Sequence, residues 1–257
     1  MKLVRFLCRN TTKYGVLTDN IIQGLAVTPF QDTWDINHPS FDGTSYSLDD
    51  VRLLVPCEPT KYIGVGLNFS GAAQDMNREC PDYPITFMKH TGAVIATNED
   101  IVLPRNEDCF IYEGEMAVII GRTAKNVRAE NAQDYILGYT CSNDITDQGF
   151  FGKDDLKLKS PDTFAPVGPC ISTETDPNNC SIRSWKNGQL LQEGNTSEMK
   201  FNVAYMVEFL SSYMTLYPGD VISMGTPAGC AKIHSGDQLC VEVEGVGKLY
   251  NCVTLAK

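Results

Sequence analysis

The chain has 257 residues, 42% of them apolar and 21% charged, an ordinary composition for a globular protein long enough to bury a sizeable core. With 32 acidic against 21 basic residues, its formal net charge is −11, which argues against a nucleic-acid surface but leaves room for a small anionic ligand held by a local cation. No window approaches the roughly 18 apolar residues of a membrane span. Met1 to Leu7 carries no export signal, and the 10 cysteines are scattered without a C-x-x-C pair, so reduced thiols and a cytoplasmic location are expected.

Residues 1–55 alternate short strand-like runs with turns. Val16-Leu17-Thr18 and Ile21 to Leu25 flank Asp19-Asn20 as a hairpin would, and the stretch reads as a small N-terminal subdomain. Cys57-Glu58-Pro59-Thr60 is a plausible junction to the remainder, 56–257. Short strands bounded by Gly, Pro, Asn or Asp follow, among them Tyr62 to Val65, Ile85 to Met88, Met116 to Ile120, Asp220 to Met224 and Gln238 to Val243. Two segments read as helices. One spans Asn131 to Leu137, with Gly138 as its C-cap. The other runs from about Ser197 to Met214, where Met199, Val203, Met206, Val207, Leu210 and Met214 fall on one face. Together these predict a β-rich α+β fold.

Tyr112-Glu113-Gly114-Glu115 opens the apolar run Met116 to Ile120. Successive side chains on a strand alternate faces, so Glu113 and Glu115 point the same way. Two carboxylates side by side repel unless a cation or proton lies between them. A third carboxylate, Asp144, stands in Cys141-Ser142-Asn143-Asp144. Three hard oxygen ligands suit Mg²⁺, Mn²⁺ or Ca²⁺ better than Zn²⁺. On these residues alone, an edge strand with two solvated glutamates is the competing account.

From residue 62 to the C-terminus the order of motifs resembles the fumarylacetoacetate hydrolase family. The matching pieces include Val65-Gly66-Leu67-Asn68-Phe69, Phe87-Met88-Lys89, Glu113-Gly114-Glu115, Asn143-Asp144-Ile145-Thr146 and Lys159 to Pro169. Asn187-Gly188 with Leu191-Gln192, Pro218-Gly219-Asp220, Gly225-Thr226-Pro227-Ala228-Gly229 and Glu244-Gly245-Val246-Gly247 complete the series. The resemblance implies the mixed β-roll core of these enzymes, usually a homodimer. It also implies a divalent metal, typically Mg²⁺, held by Glu113, Glu115 and Asp144. Lys159 would lie beside the metal site, and Gly225 and Thr226 would bind a substrate carboxylate. Lys89 and His90 belong to a segment near the site in relatives, which makes them candidates for substrate binding.

Two positions depart from the family pattern. Ala72 stands where these enzymes carry a water-activating histidine, leaving Asp75 as the acid of that segment. Alanine cannot take a proton, and a lone carboxylate lacks the pKa that suits general-base work near neutrality. Gln148 replaces an arginine that would face an anionic substrate, keeping hydrogen bonds but losing charge. The resulting expectation is an enzyme that acts on a 2-oxo acid or β-dicarbonyl compound through a metal-stabilised enolate, with Lys159, Asp75 and Gln148 as catalytic residues. Tautomerisation, decarboxylation or dehydration then competes with carbon–carbon hydrolysis. The rivals are a silent metabolite-binding member of the family and a dehydratase or isomerase of a specialised biosynthetic pathway.

Overall fold

The computed structural model describes residues 1–256 as three β-sheets with few helices, the β-rich α+β class expected. The largest sheet grows outward from Gly114–Ile120, which pairs antiparallel with Ile136–Asn143 on one side and Val221–Ser223 on the other. It continues through Ala165–Ser172, Lys2–Cys8, Thr11–Thr18, Ile21–Leu25 and Phe41–Ser47 in one direction, and through Tyr62–Gly66 and Ile85–Lys89 in the other. Five further strands form a second sheet in the order Gln189–Asn195, Ser181–Lys186, Gln238–Val243, Gly247–Leu255, Ile101–Leu103. Thr146–Asp147, Phe110–Tyr112 and Ala231–Lys232 make a third.

Gly114–Ile120 is buried along its whole length because both faces are covered, and that is why its sequence is a continuous apolar run rather than an alternating one. Met116, Val118 and Ile120 enter a cluster with Ile182, Val241 and Met206. Ala117 and Ile119 face a second cluster containing Leu3, Tyr62, Ala165 and Val221. Strand parity carries Glu115 onto that second face, where its cross-strand partner is Ser142.

The hairpin over Asp19-Asn20 forms, with Thr18 paired to Ile21 and Asp19 in the left-handed region at φ +51. The N-terminal strands prolong the main sheet, since Lys2 and Leu3 pair with Ser172 and Ile171. Asn187-Gly188 closes a second hairpin with both residues at positive φ, the conformation that a two-residue turn matched to strand twist requires.

Both helix expectations need correction. Residues 129–135 form a 3-10 segment, and Ile136, Leu137 and Gly138 then enter a strand. Gly138 is no helix cap: a Cβ there would lie 2.3 Å from the Ser172 carbonyl oxygen, so glycine is what lets two strands approach. The later helix covers only Val203–Tyr213. Asn195 and Glu198 form a capping box around the short turn Thr196–Glu198, and Met199 is extended and bridges Phe69. The chain restarts as helix at Asn202, whose side chain accepts from the Tyr205 amide. Among the described residues, no helix is long and apolar enough to cross a membrane. All ten cysteines are free.

Candidate active site

The antiparallel register that sets Gly114 against Asn143 also brings Glu113 beside Asp144. The Asp144 amide donates to the Glu113 carbonyl at 2.9 Å, and the Glu113 amide donates to Asn143 Oδ1 at 3.2 Å. Asp144 is buried, and its Oδ1 lacks a directed hydrogen bond although Lys89 Nζ stands 2.5 Å away. Glu115 is buried as well; its Oε2 accepts from the Ser223 hydroxyl and, at 2.9 Å, from the Gly225 amide. Ser223 in turn shares a 2.6 Å hydrogen bond with Ser142, its neighbour on the same face.

Two lysines serve this cluster in different ways. Lys159 ends the short helix Asp155–Lys159, which is capped by Asp154, whose side chain accepts from the Lys157 amide. Its ammonium lies between two carboxylates, donating to Glu113 Oε2 at 2.9 Å and Asp144 Oδ2 at 2.5 Å, and also to Thr146 Oγ1 at 2.6 Å. Thr146 Oγ1 donates onward to Glu113 Oε2 at 2.7 Å. The Phe87 ring lies 4.6 Å from the same ammonium. Lys89 is sealed beneath, its side chain 0% exposed against 13% for Lys159. Besides its ion pair with Asp144 it donates to the carbonyls of Ile145 and Phe164, at 2.9 and 2.7 Å. Lys89, expected near substrate, thus has its ammonium engaged inside the protein by Asp144 and two carbonyls.

The electrostatics follow from burial. Burial and the neighbouring Asp144 charge push Glu115 up to about 8, against the partial relief of Ser223. Burial lowers Lys89 to about 8, only partly offset by Asp144. Burial works against the charged form of Lys159 too, but Asp144 and Glu113 outweigh it and hold this ammonium above the usual lysine range. Among the described residues, no three acidic, histidine or cysteine side chains converge as a metal-holding group in this arrangement. Lys159 fills the space between Glu113 and Asp144, and Glu115 is turned toward Ser223 and Gly225.

The loop after Val221–Ser223 forms one wall. Gly225 has φ +92, and a Cβ there would come within 3.0 Å of the Val65 carbonyl oxygen, so the close approach to Asn68 needs glycine. Leu67, at φ +53, turns Asn68 inward, where its amide donates to the carbonyls of Phe201 and Met224. Thr226, expected to bind a substrate carboxylate, is buried and donates to the Gly114 carbonyl at 2.9 Å while accepting from Gln192 at 2.8 Å. Cys230 lies nearby, its sulfur 3.9 Å from Glu113 Oε1. Helix Ser70–Asp75 covers this loop: a Cβ on Gly71 would sit 3.1 Å from that of Ala228, and Asp75 Oδ2 accepts from the Gly229 amide at 2.8 Å. Ala72 is buried in that helix.

Gln148 is exposed at the start of the turn Gln148–Phe150. His90 is also exposed, its Nδ1 accepting from the Gly92 amide at 3.0 Å as a turn cap. His38 pairs with Asp35 and His234 with Asp108, so all three histidines hold surface partners outside the carboxylate cluster. Sequence reasoning missed Ser142, Ser223 and Thr146. Parity could have found Thr146, two residues after Asp144.

Residues 61–254 match the family model described as "Fumarylacetoacetate (FAA) hydrolase C-terminal", and residues 1–56 match "Rv2993c-like, N-terminal". The chain belongs to the fumarylacetoacetate hydrolase family. It is 46% identical over 213 residues to an uncharacterized protein of Archaeoglobus fulgidus, covering 82% of this chain and 85% of that one. The solved structure of 5-carboxymethyl-2-hydroxymuconate delta-isomerase from Mycobacterium smegmatis is similar along the full length of both chains, with TM-score 0.91 and 37% identity. Maleylpyruvate hydrolase from Sphingobium sp. SYK-6, solved with manganese (II) ion and pyruvate, has TM-score 0.81 and 26% identity, again over 100% of both chains. Relatives of this chain thus include an isomerase and a hydrolase.

Proposed function

We propose that the chain is a divalent-metal-dependent enzyme acting on a 2-oxo acid or β-dicarbonyl compound. Its reaction would move a proton at the carbon α to the carbonyl, in tautomerisation, isomerisation or decarboxylation, faster than it hydrolyses a carbon–carbon bond. The observation that carries this is the pairing of half-buried Glu113 with buried Asp144 across Lys159, with a further buried carboxylate, Glu115, two residues from Glu113. These carboxylate donors are all hard oxygens, which suits Mg²⁺ or Mn²⁺. Asp144 Oδ1 is buried with only its ion pair to Lys89 and no directed hydrogen bond, and Glu115 is kept from ionising by burial and by Asp144. A divalent cation would offset both, so the residues fit one.

Glu113, Glu115 and Asp144 would hold the ion, and Lys89 would keep Asp144 ionised from below. A bound divalent cation would supply Lewis acidity to a chelated 2-oxo group. Lys159, the more exposed of the two lysines, is the one within reach of an anionic substrate. The Gly225-Thr226 loop fixes Glu115 and would line the carboxylate end of the ligand. Asp75, exposed at the end of the covering helix, is the candidate proton acceptor, and Gln148 offers an uncharged hydrogen-bonding edge. Ala72 supports proton transfer over hydrolysis, because no imidazole stands there to activate water. A cytoplasmic homodimer is the expected setting, as the family resemblance implies.

Titration calorimetry tests the metal reading. Wild type should bind Mg²⁺ or Mn²⁺, and Glu115→Gln should bind at least tenfold more weakly; equal affinity in both would rule out Glu115 as a ligand. Turnover of an oxo acid by wild type that EDTA abolishes would separate an enzyme from a silent binding protein.

A further inference from the structure

We infer that Gln192 is the positioning residue that locks the two halves of the carboxylate site together, an inference that rests on the metal-site reading above. Gln192 lies in Gln189–Asn195, on the second sheet, and is 0% exposed. Its amide reaches in both directions. Oε1 accepts from the Gly114 amide at 2.9 Å and from the Ser184 hydroxyl at 2.7 Å. Nε2 donates to Thr226 Oγ1 at 2.8 Å and to the Pro227 carbonyl at 2.9 Å.

Each of these partners has a place in the site. Gly114 is the residue between Glu113 and Glu115, so Gln192 holds the peptide from which both carboxylates project. Thr226 and Pro227 follow Gly225, whose amide holds Glu115 Oε2. Thr226 closes the ring by donating to the Gly114 carbonyl. One side chain thereby fixes the distance between the strand that carries the glutamates and the loop that orients one of them. No other residue type does this at the same length. Glutamate has no amide donor for Thr226 and Pro227, and methionine has no donor and only a weak thioether acceptor. A buried amide with donor and acceptor both used also specifies geometry more sharply than apolar packing would.

The test is Gln192→Met, which keeps side-chain length. It is read by Mn²⁺ affinity in calorimetry and by residue-resolved hydrogen exchange at Gly114 and Gly225 in the metal-free protein. The comparison variant is Ile22→Val, a buried change in the N-terminal hairpin. Gln192→Met should weaken Mn²⁺ binding about tenfold or more and strip protection from the Gly225 amide, which Gln192 never touches, while Ile22→Val leaves both unchanged. Ser184→Ala removes one hydroxyl from the same amide and should shift both readouts less, in the same direction; it decides the matter if Gln192→Met does not fold. Wild-type affinity and unchanged Gly225 protection in these variants would overturn the positioning role. If wild type binds no Mn²⁺, the metal reading falls, and Gly225 protection still decides whether Gln192 holds Glu115 in place.

Discussion

Glu115 concentrates the tension in the site. Its folded value of about 8 stands above the ordinary 4.5, because burial and Asp144 disfavour its charge. The folded state therefore binds more protons than the unfolded chain between these values, and stability must fall as pH rises across that window. Below about 4.5 the group is protonated in both states, and above about 8 it is ionised in both. Denaturation in EDTA should show a decline in midpoint from pH 4.5 to 8, which Glu115→Gln removes; a slope that survives the substitution would assign it to other groups. Lys89 does not blur this, since its shift acts between about 8 and the ordinary 10.5. At this scale the three carboxylates were singled out by a strand's two-residue period and by family resemblance, while Glu113 lies between strands and Lys159 pairs it with Asp144 alone. What they bond to was not legible: Gln192 reads as one polar residue in a strand, and nothing local says that it spans to Gly114 and Thr226. Lys89 was a substrate-binding candidate, and nothing local says that the fold buries it against Asp144.

Among the elements, the strand Ile136–Asn143 shows how a local signal misleads. Gly138 after an apolar run looks like a helix cap, yet glycine is needed there because the Ser172 carbonyl comes too close for any Cβ. Gly138→Ala should destabilise the protein by about 1–3 kcal/mol, since the obstruction is backbone and must be relieved by moving a strand. An unchanged urea midpoint would contradict that. The helix that was too long on paper failed for a related reason: Met199 keeps the helical spacing but is claimed by a bridge to Phe69. Covering the 226–229 loop, Ser70–Asp75 continues into a segment held on the helix Val203–Tyr213 by Tyr83, whose hydroxyl is 2.8 Å from that of Tyr213, and before that helix by Lys200, 2.9 Å from Asp82. Turn-forming residues over 77–82 and these few anchors mark it as an element able to lift. Hydrogen exchange across 70–84 should slow when a chelating oxo acid and Mg²⁺ are added, and equal exchange would deny it a closing role.

For the whole molecule, the order of sheets explains why distant motifs meet. Antiparallel pairing sets Glu113 to Asp144, parallel pairing of Val221–Ser223 with Tyr62–Gly66 brings the Gly225 loop to Asn68, and the second sheet supplies Gln192 from behind. The strand-rich class and most central strands were readable from their short apolar runs, whereas the pairing of strands far apart in sequence was not, because nothing local encodes it. The central claim is that this assembly moves protons at the α-carbon of an oxo acid with a divalent cation and without the imidazole that Ala72 replaces. Deuterium exchange at that carbon in an acylpyruvate, followed by NMR beside product formation, measures both reactions at once. Exchange by wild type should need Mg²⁺, outpace cleavage by at least tenfold, a preference of about 1.4 kcal/mol, and be lost in Glu115→Gln. Rapid Mg²⁺-dependent cleavage with no excess of exchange, or exchange indifferent to EDTA, would contradict the account.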